Sequence, residues 1–242
     1  MNRRRFLIGV AATAAARPSV HIPFFDGQSV TIDDKEYLLS DIVVPSSTPL
    51  GGKPEAGAAH ALAVFDAMKG EGKPLDAPGK TDRWARAVGP LRWRKADGGE
   101  TTMQEILLAR GAARVAPESD NHEFIDRCYA AEDAARAESR GAWKSPAWRI
   151  RDAASAERSS GFQLYAGAVK NAQERRGRVY INFGDDYRTD FTATVTAVRF
   201  RRWKSKIDPA ALIGRAVETR GPVEMINGPS IELIHEKQLR VL

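Results

Sequence analysis

The stretch from Asp26 to Ser46, DGQSVTIDDKEYLLSDIVVPS, decides how this chain is read. Val30 and Ile32, then Tyr37 and Leu39, alternate with polar residues on either side of Asp33-Asp34. Period-two alternation around a turn pair predicts a β-hairpin with one apolar face. Ile42-Val43-Val44 adds a short strand that Pro45 ends, and Ser46 to Lys53 is predicted to be a loop. Further out, Leu62, Phe65 and Met68 fall at helical spacing between Ala58 and Met68, and Gly70 stops that helix. Thr102 to Arg110 is a second helix with Gly111 as its C-terminal cap. Asp120 and Glu123 have capping-box spacing. They open a long third helix that lines up Phe124, Cys128, Ala131 and Ala135 and ends at Gly141, before Trp143 and Trp148. Strands with helices packed beside them predict a mainly β fold with α additions over residues 20–152, an OB-fold barrel with three helices.

Asp152 to Ser160 is small and polar and reads as a linker. In residues 162–242, Val179, Ile181 and Phe183 alternate with Arg178, Tyr180 and Asn182. Phe191, Ala193, Val195 and Ala197 alternate in the same way with Thr192, Thr194 and Thr196. Asp208-Pro209 opens a short helical stretch. Val217 to Met225 reads as a strand, Asn227-Gly228 as a turn and Ile231 to Ile234 as the returning strand. About five strands with one helix in the middle predict a second small OB-like β-barrel.

Hydrophobic residues make up 43% and charged residues 28% of the 242, a balance that places the chain among soluble globular proteins. The formal charge is +6, and Arg3, Arg4 and Arg5 supply three of those charges. Without them the chain is mildly basic, which does not by charge alone establish a polyanion partner. Cys128 is the single cysteine, so no intramolecular disulfide and no cysteine-based zinc site can form. His21, His60, His122 and His235 are scattered without metal-ligand spacing and read as surface or capping residues.

Arg3-Arg4-Arg5-Phe6-Leu7 looks like a twin-arginine export motif. The apolar run Phe6 to Ala16 follows, and Ala14-Ala15-Ala16 offers small residues for cleavage before Arg17. Residues 1–16 are therefore expected to be a twin-arginine-type signal segment that directs the protein to the periplasm. A retained N-terminal membrane anchor and a basic cytosolic tail are the other readings. A run this short cannot span a bilayer, which takes roughly 20 residues, and no other apolar run in the chain is long enough.

Several pieces of residues 20–150 resemble the staphylococcal nuclease (thermonuclease) family. They are Asp26-Gly27-Gln28-Ser29, the run Leu38 to Ser46, Asp82-Arg83-Trp84-Ala85-Arg86 and the helix Met103 to Val115. The most specific piece is Ala130 to Arg136 with Arg140-Gly141-Ala142-Trp143, which is similar to the family's closing helix and its terminal tryptophan. The resemblance implies a calcium-dependent nuclease. Such an enzyme needs carboxylates for a hard cation, a carboxylate beside the attacking water and arginines for the charge that grows in the transition state. At the matching positions Gln28 and Val43 replace the two metal carboxylates and Ser46 the carboxylate near the water. Leu38 replaces the first phosphate-clamping arginine, and only Arg86 keeps its residue type.

These replacements imply that the calcium site is lost, that no metal or other cofactor is held and that ordinary nuclease activity is absent. Loss of one transition-state donor costs roughly 10²–10³ in rate, and such groups act as a unit. Asp26 and Asp41 are the acids left nearby, and they read either as hairpin acids or as ligands of a relocated metal. Arg86 belongs to a basic run with Arg83, Arg92, Arg94 and Lys95, interleaved with Trp84 and Trp93. That run reads either as a phosphate-facing surface or as arginines paired with acids while both tryptophans pack the barrel.

In the second segment the outward set Arg178, Tyr180 and Asn182, with Thr192, Thr194 and Thr196, fits a single-strand binding face, and a solvated barrel surface is the alternative. Arg175, Arg176, Arg199, Arg201, Arg202, Lys204 and Lys206 add positive charge nearby. The segment also looks like small OB-type modules attached to thermonuclease-like domains in bacteria, through Arg178 to Gly184 and Gln238 to Leu242. The leading expectation is an exported, catalytically inactive thermonuclease-family protein that binds single-stranded nucleic acid or another polyanion. Two others stand beside it: an active metal-dependent phosphodiesterase with an altered metal site, and a structural or interaction protein of the cell envelope.

Overall fold

Alternation becomes a hairpin and capping becomes helices in the computed structural model, which describes residues 20–21, 29–32, 35–47, 52–75, 80–155, 158–186 and 189–242. The expected signal segment, Asp26, Gly27, Gln28 and the Asp33-Asp34 turn pair lie outside the described residues. Strand β1 (Val20–His21) pairs with β2 (Ser29–Ile32), and β2 runs antiparallel to β3 (Lys35–Leu39) with Val30 opposite Tyr37. Val30 and Leu39 are buried, as their period predicts.

After β4 (Ile42–Val43), helix α1 (Ala58–Glu71) buries Ala61, Val64, Phe65 and Met68, while Leu62 sits at the edge of that face. Strands β5 (Gly72–Pro74), β6 (Ala87–Gly89), β7 (Arg92–Lys95) and β8 (Glu100–Thr102) follow. β6 joins β3 in parallel, and β5, β7 and β8 form a sheet of their own. Only Pro90 and Leu91 separate β6 from β7, so one stretch of chain serves two sheets.

Helix α2 (Met103–Ala109) starts at a capping box between Thr102 and Glu105. Gly111 follows it at φ 63, and a side chain there would collide with the Arg140 carbonyl. β9 (Arg114–Val115) pairs with β4. Helix α3 (His122–Ala137) is capped by Asn121, whose carboxamide oxygen accepts from Phe124 N at 3.1 Å, rather than by Asp120. It ends short of Gly141, which instead opens a single 3-10 turn carrying Trp143. A second such turn carries Trp148, whose ring meets Trp143 edge-on at 5.0 Å and whose Nε1 donates to the Ala56 carbonyl.

The expected linker begins as structure. β10 (Arg151–Asp152) lies parallel to β11 (Gly161–Ala168), and Ala153 is fully buried. β12 (Asn171–Arg175), β13 (Arg178–Asn182), β14 (Thr192–Thr196), β15 (Ala216–Met225), β16 (Pro229–Glu232) and β17 (Leu239–Val241) complete an eight-stranded sheet, more strands than the alternation revealed. Its order is β10-β11-β15-β16-β14-β13-β12, with β17 also on β15. β14 and β16 are parallel. Helix α4 (Ala197–Arg202) lies between β14 and β15 in sequence and takes Ala197 out of the predicted strand, because the Thr196 hydroxyl caps Arg199 N at 3.3 Å. Asp208-Pro209 opens only a 3-10 turn.

The architecture is mainly β with α additions. Unlike the expected barrels, no sheet closes on itself by strand pairing among the described residues. In the second segment the run from β11 to β12 changes partners at Val169-Lys170. Val169 N donates to Arg215 O on one side and Lys170 N to Asn182 O on the other, both at 2.9 Å. Among the described residues no helix is long and apolar enough to cross a membrane.

Two apolar clusters result, one within residues 30–129 and one within residues 153–239. A buried ionic cluster joins the segments that carry them. Arg220 of β15 donates to Glu132 of α3 at 2.7 Å and to the Val115 carbonyl at 3.0 Å, and it also pairs with Glu218. The other Glu132 oxygen accepts from Val115 N at 2.8 Å. Arg136 reaches Glu218 at 2.9 Å, while Arg220 and Arg240 flank the Tyr129 ring. Glu132, Glu218 and Arg220 are each at most 2% exposed. Burial alone would raise the Glu218 carboxyl, but Arg220 and Arg136 hold it below the usual glutamate value. Burial would likewise depress the Arg220 guanidinium, yet Glu132, Tyr129 and Glu218 raise it.

Arg220→Met leaves Glu132 buried without its cation and takes one of the two nearest cations from Glu218, which keeps Arg136. The expected loss is about 3–5 kcal/mol, read as a lower urea midpoint at unchanged m. A second joint is titratable. His235 Nδ1 accepts from Lys237 N at 3.1 Å, and its ring stands 5.2 Å from that of His122. Burial first, then the neighbouring His122, lowers the His235 pKa below 6.5, against the pull of Asp41, Glu236 and Asp120. The fold thus favours neutral His235, so its contribution is whole above the unfolded value of 6.5 and shrinks as pH falls through the lower folded value. Melting scans from about pH 7.5 to about pH 5 should show a falling Tm, and a smaller fall in His235→Asn, which keeps an acceptor without the titration.

Candidate functional site

Arg86 closes a turn. The Asp82 carboxylate accepts from Trp84 N, Arg86 N and, at 2.7 Å, Arg86 Nε, while Glu36 stands 3.8 Å from the same guanidinium. Ala85 adopts φ 61 inside this turn. The arginines of the basic run therefore hold acids or rings: Arg92 and Arg94 share Glu100, and Arg83 covers the Trp84 ring at 3.9 Å. Trp93 packs the core as expected, whereas Trp84 is 61% exposed on the turn, contrary to the packing expected for both. The alternation of β7 buries Trp93 between two outward arginines, and no strand does the same for Trp84.

Leu38 lies on β3 between Ser29 and Val88, and Val43 lies on β4 opposite Arg114. Ser46 is buried, with its N donating to the Glu55 carboxylate at 2.8 Å. Asp41 is fully buried at φ 64. Its carboxylate accepts from Ser40 Oγ, Glu118 N, Ser119 N and Ser119 Oγ, all at 2.7–3.0 Å. Arg114 is buried against the Trp148 ring at 4.8 Å, and burial pushes its pKa down to about 10, so it stays charged near neutrality.

These residues do not fit a calcium ion. Val43 supplies no side-chain oxygen, Asp41 is spent on the 118–119 backbone, and a divalent cation beside Val43 would meet the Arg114 charge. Among the described residues no three His, Cys, Asp or Glu side chains are grouped to hold a metal.

The second segment does bring its predicted residues together. Arg178, Tyr180 and Asn182 point to one face because Val179 and Ile181 are buried on the other. Pairing extends each into a row across the sheet. One row runs Asn171, Asn182, Thr192, Ser230, Glu224. The next runs Gln173, Tyr180, Thr194, Glu232, and the third holds Arg175 and Arg178. All of these line a groove of about 970 Å³. Thr192 Oγ1 donates to Asn182 Oδ1, and Arg178 donates to Thr194 Oγ1, both at 3.1 Å, with Glu232 3.3 Å from the same guanidinium.

Six expected members, Thr196, Arg199, Arg201, Arg202, Lys204 and Lys206, do not line the groove. Thr196 caps α4, Arg201 pairs with Glu174, and Arg199 turns to Glu232. Ile226, 62% exposed beside the Asn227-Gly228 turn, forms an apolar lip that the sequence pattern did not single out. Its signal was an isoleucine next to a turn pair, where burial is not expected.

No protein-family model matches this chain, and no curated protein matches it either.

Millimolar calcium should leave the Tm of the full chain unchanged, because only a ligand that binds the native state stabilises it, by RT ln(1 + L/Kd) at free ligand concentration L. A rise would point to ligands near Asp26 and Gln28.

Proposed function

We propose that this protein is a non-catalytic binding module that takes single-stranded nucleic acid, or another extended polyanion, in the groove of its second segment. The observation that carries this reading is the convergence of Arg178, Tyr180 and Asn182, with the paired rows beside them, on one concave face. An aromatic ring set among hydrogen-bonding and cationic side chains is the arrangement that holds unpaired bases without reading a duplex.

Several features support an OB-type reading of that segment. The run Gly161 to Arg175 flanks β15 with one half and β13 with the other, as a shared first strand would. β14 and β16 are parallel, and α4 stands between β14 and β15. In the first segment, the split run β6–β7 and the three helices are consistent with the thermonuclease-like reading. A lost catalytic site is supported by the engagement of Asp41 with Ser119 and of Arg86 with Asp82. Export by the twin-arginine route belongs to the same proposal and rests on Arg3 to Leu7.

Fluorescence anisotropy of a labelled single strand tests the reading. Binding should be measurable with EDTA present, and intact strand should be recovered with or without calcium. Tyr180→Ala should weaken Kd by about 1–3 kcal/mol, roughly 5- to 150-fold. Metal-dependent cleavage, or equal binding by the Tyr180→Ala variant, would refute it.

A further inference from the structure

The groove is not evenly charged along its length. Arg175, Arg176 and Arg178 gather at one end, on the turn between β12 and β13. Asp185 and Glu224 line the opposite end beside Lys170, and Glu232 stands midway. Asn182 and Arg178 are four residues apart on β13, so these ends lie about 13 Å apart. A strand laid along the whole face with a phosphate at every step would pass Glu232 midway and Asp185 and Glu224 at the far end.

The cationic end is built at a local cost. Arg175 and Arg178 are opposite partners, which leaves Arg176-Gly177 as a two-residue hairpin turn. Arg176 has φ 50 and Gly177 φ 75, both in the left-handed region. That turn favours asparagine or aspartate before glycine, and an arginine there is disfavoured. Arg178 is paired with Glu232, but among the described residues Arg175 and Arg176 have no ion-pair partner. A disfavoured residue type thus adds a third guanidinium to a turn that already carries two, and stability alone gives no reason for it.

We propose that this turn is an anchor for one terminal phosphate. A strand ending in a phosphate monoester places that group among Arg175, Arg176 and Arg178, its neighbouring base against Tyr180 and its next uncharged polar groups along Asn171, Asn182 and Thr192. A terminal phosphate suits the anchor better than an internal diester because it carries close to two negative charges and three free acceptor oxygens. The inference rests on the groove being the binding site, and it specifies which part of the ligand is read.

Three versions of one short labelled strand provide the test: 5′-phosphorylated, 3′-phosphorylated and unphosphorylated, each titrated with the full chain. A phosphorylated strand should bind at least about tenfold tighter than the unphosphorylated one, with binding falling only shallowly with salt, since few phosphates are contacted. Arg176→Asn installs the preferred turn residue, so it should fold at least as stably while losing most of the tenfold preference. Competition by inorganic phosphate that removes the preference but not the residual binding supports the anchor and separates the phosphate from the strand. Equal binding of all three strands overturns the anchor and leaves the groove as a strand site. Failure of all three to bind overturns the groove reading as well.

Discussion

The carboxylate of Glu132 holds this molecule in one arrangement. One of its oxygens accepts from the backbone of β9 and the other from Arg220, so a single side chain on α3 fixes a strand of its own segment and a strand of the next. Ions this deeply buried gain little net stability over well-packed apolar groups of the same volume, because desolvation offsets most of the attraction. What they add is discrimination. A docking shifted by one residue along β15 would bring Thr219 or Gly221 to Glu132 and leave a charge unpaired in a dry interface, which is costly. Arg136, Arg240 and Tyr129 complete a shell that keeps water from the cluster.

The same strand carries this constraint to the groove. β15 presents Arg220 to α3 in its first half and Glu224 to the groove wall in its second. The wall is therefore referenced to the helices of the first segment through one continuous backbone. A site on such a strand is held more rigidly than one on a free loop, and loss of the ionic cluster would loosen the wall without touching any residue that lines it.

Local patterns made much of this legible. The hairpin at Val30 to Leu39, α1, α2 and the inward set Val179, Ile181 and Val195 follow from period alone, because each is decided by neighbours in sequence. The trio Arg178, Tyr180 and Asn182 was legible for the same reason. Its partners Ser230, Glu224 and Glu232 were not, since they arrive through the parallel β14–β16 pair, which no local pattern specifies. Trp84 and Trp93 look alike in sequence, and only the pairing of β7 separates an inward ring from an outward one. Least legible was the Glu132–Arg220 joint. Charged residues inside a strand or helix usually face water, so nothing marked these as buried.

Glu132 and Arg220 are 88 residues apart in the chain. During synthesis the first segment emerges with an apolar cluster ready to collapse and a carboxylate inside it that lacks its direct ion-pair partner. At the usual pace of translation Arg220 follows after about 4–18 s, a long interval beside the microseconds to seconds in which small domains fold. In that interval Glu132 either keeps a water or leaves α3 undocked from β9. The nascent chain is thus held in a looser form until β15 arrives, and final consolidation of its first half is timed by the ribosome's progress through the second.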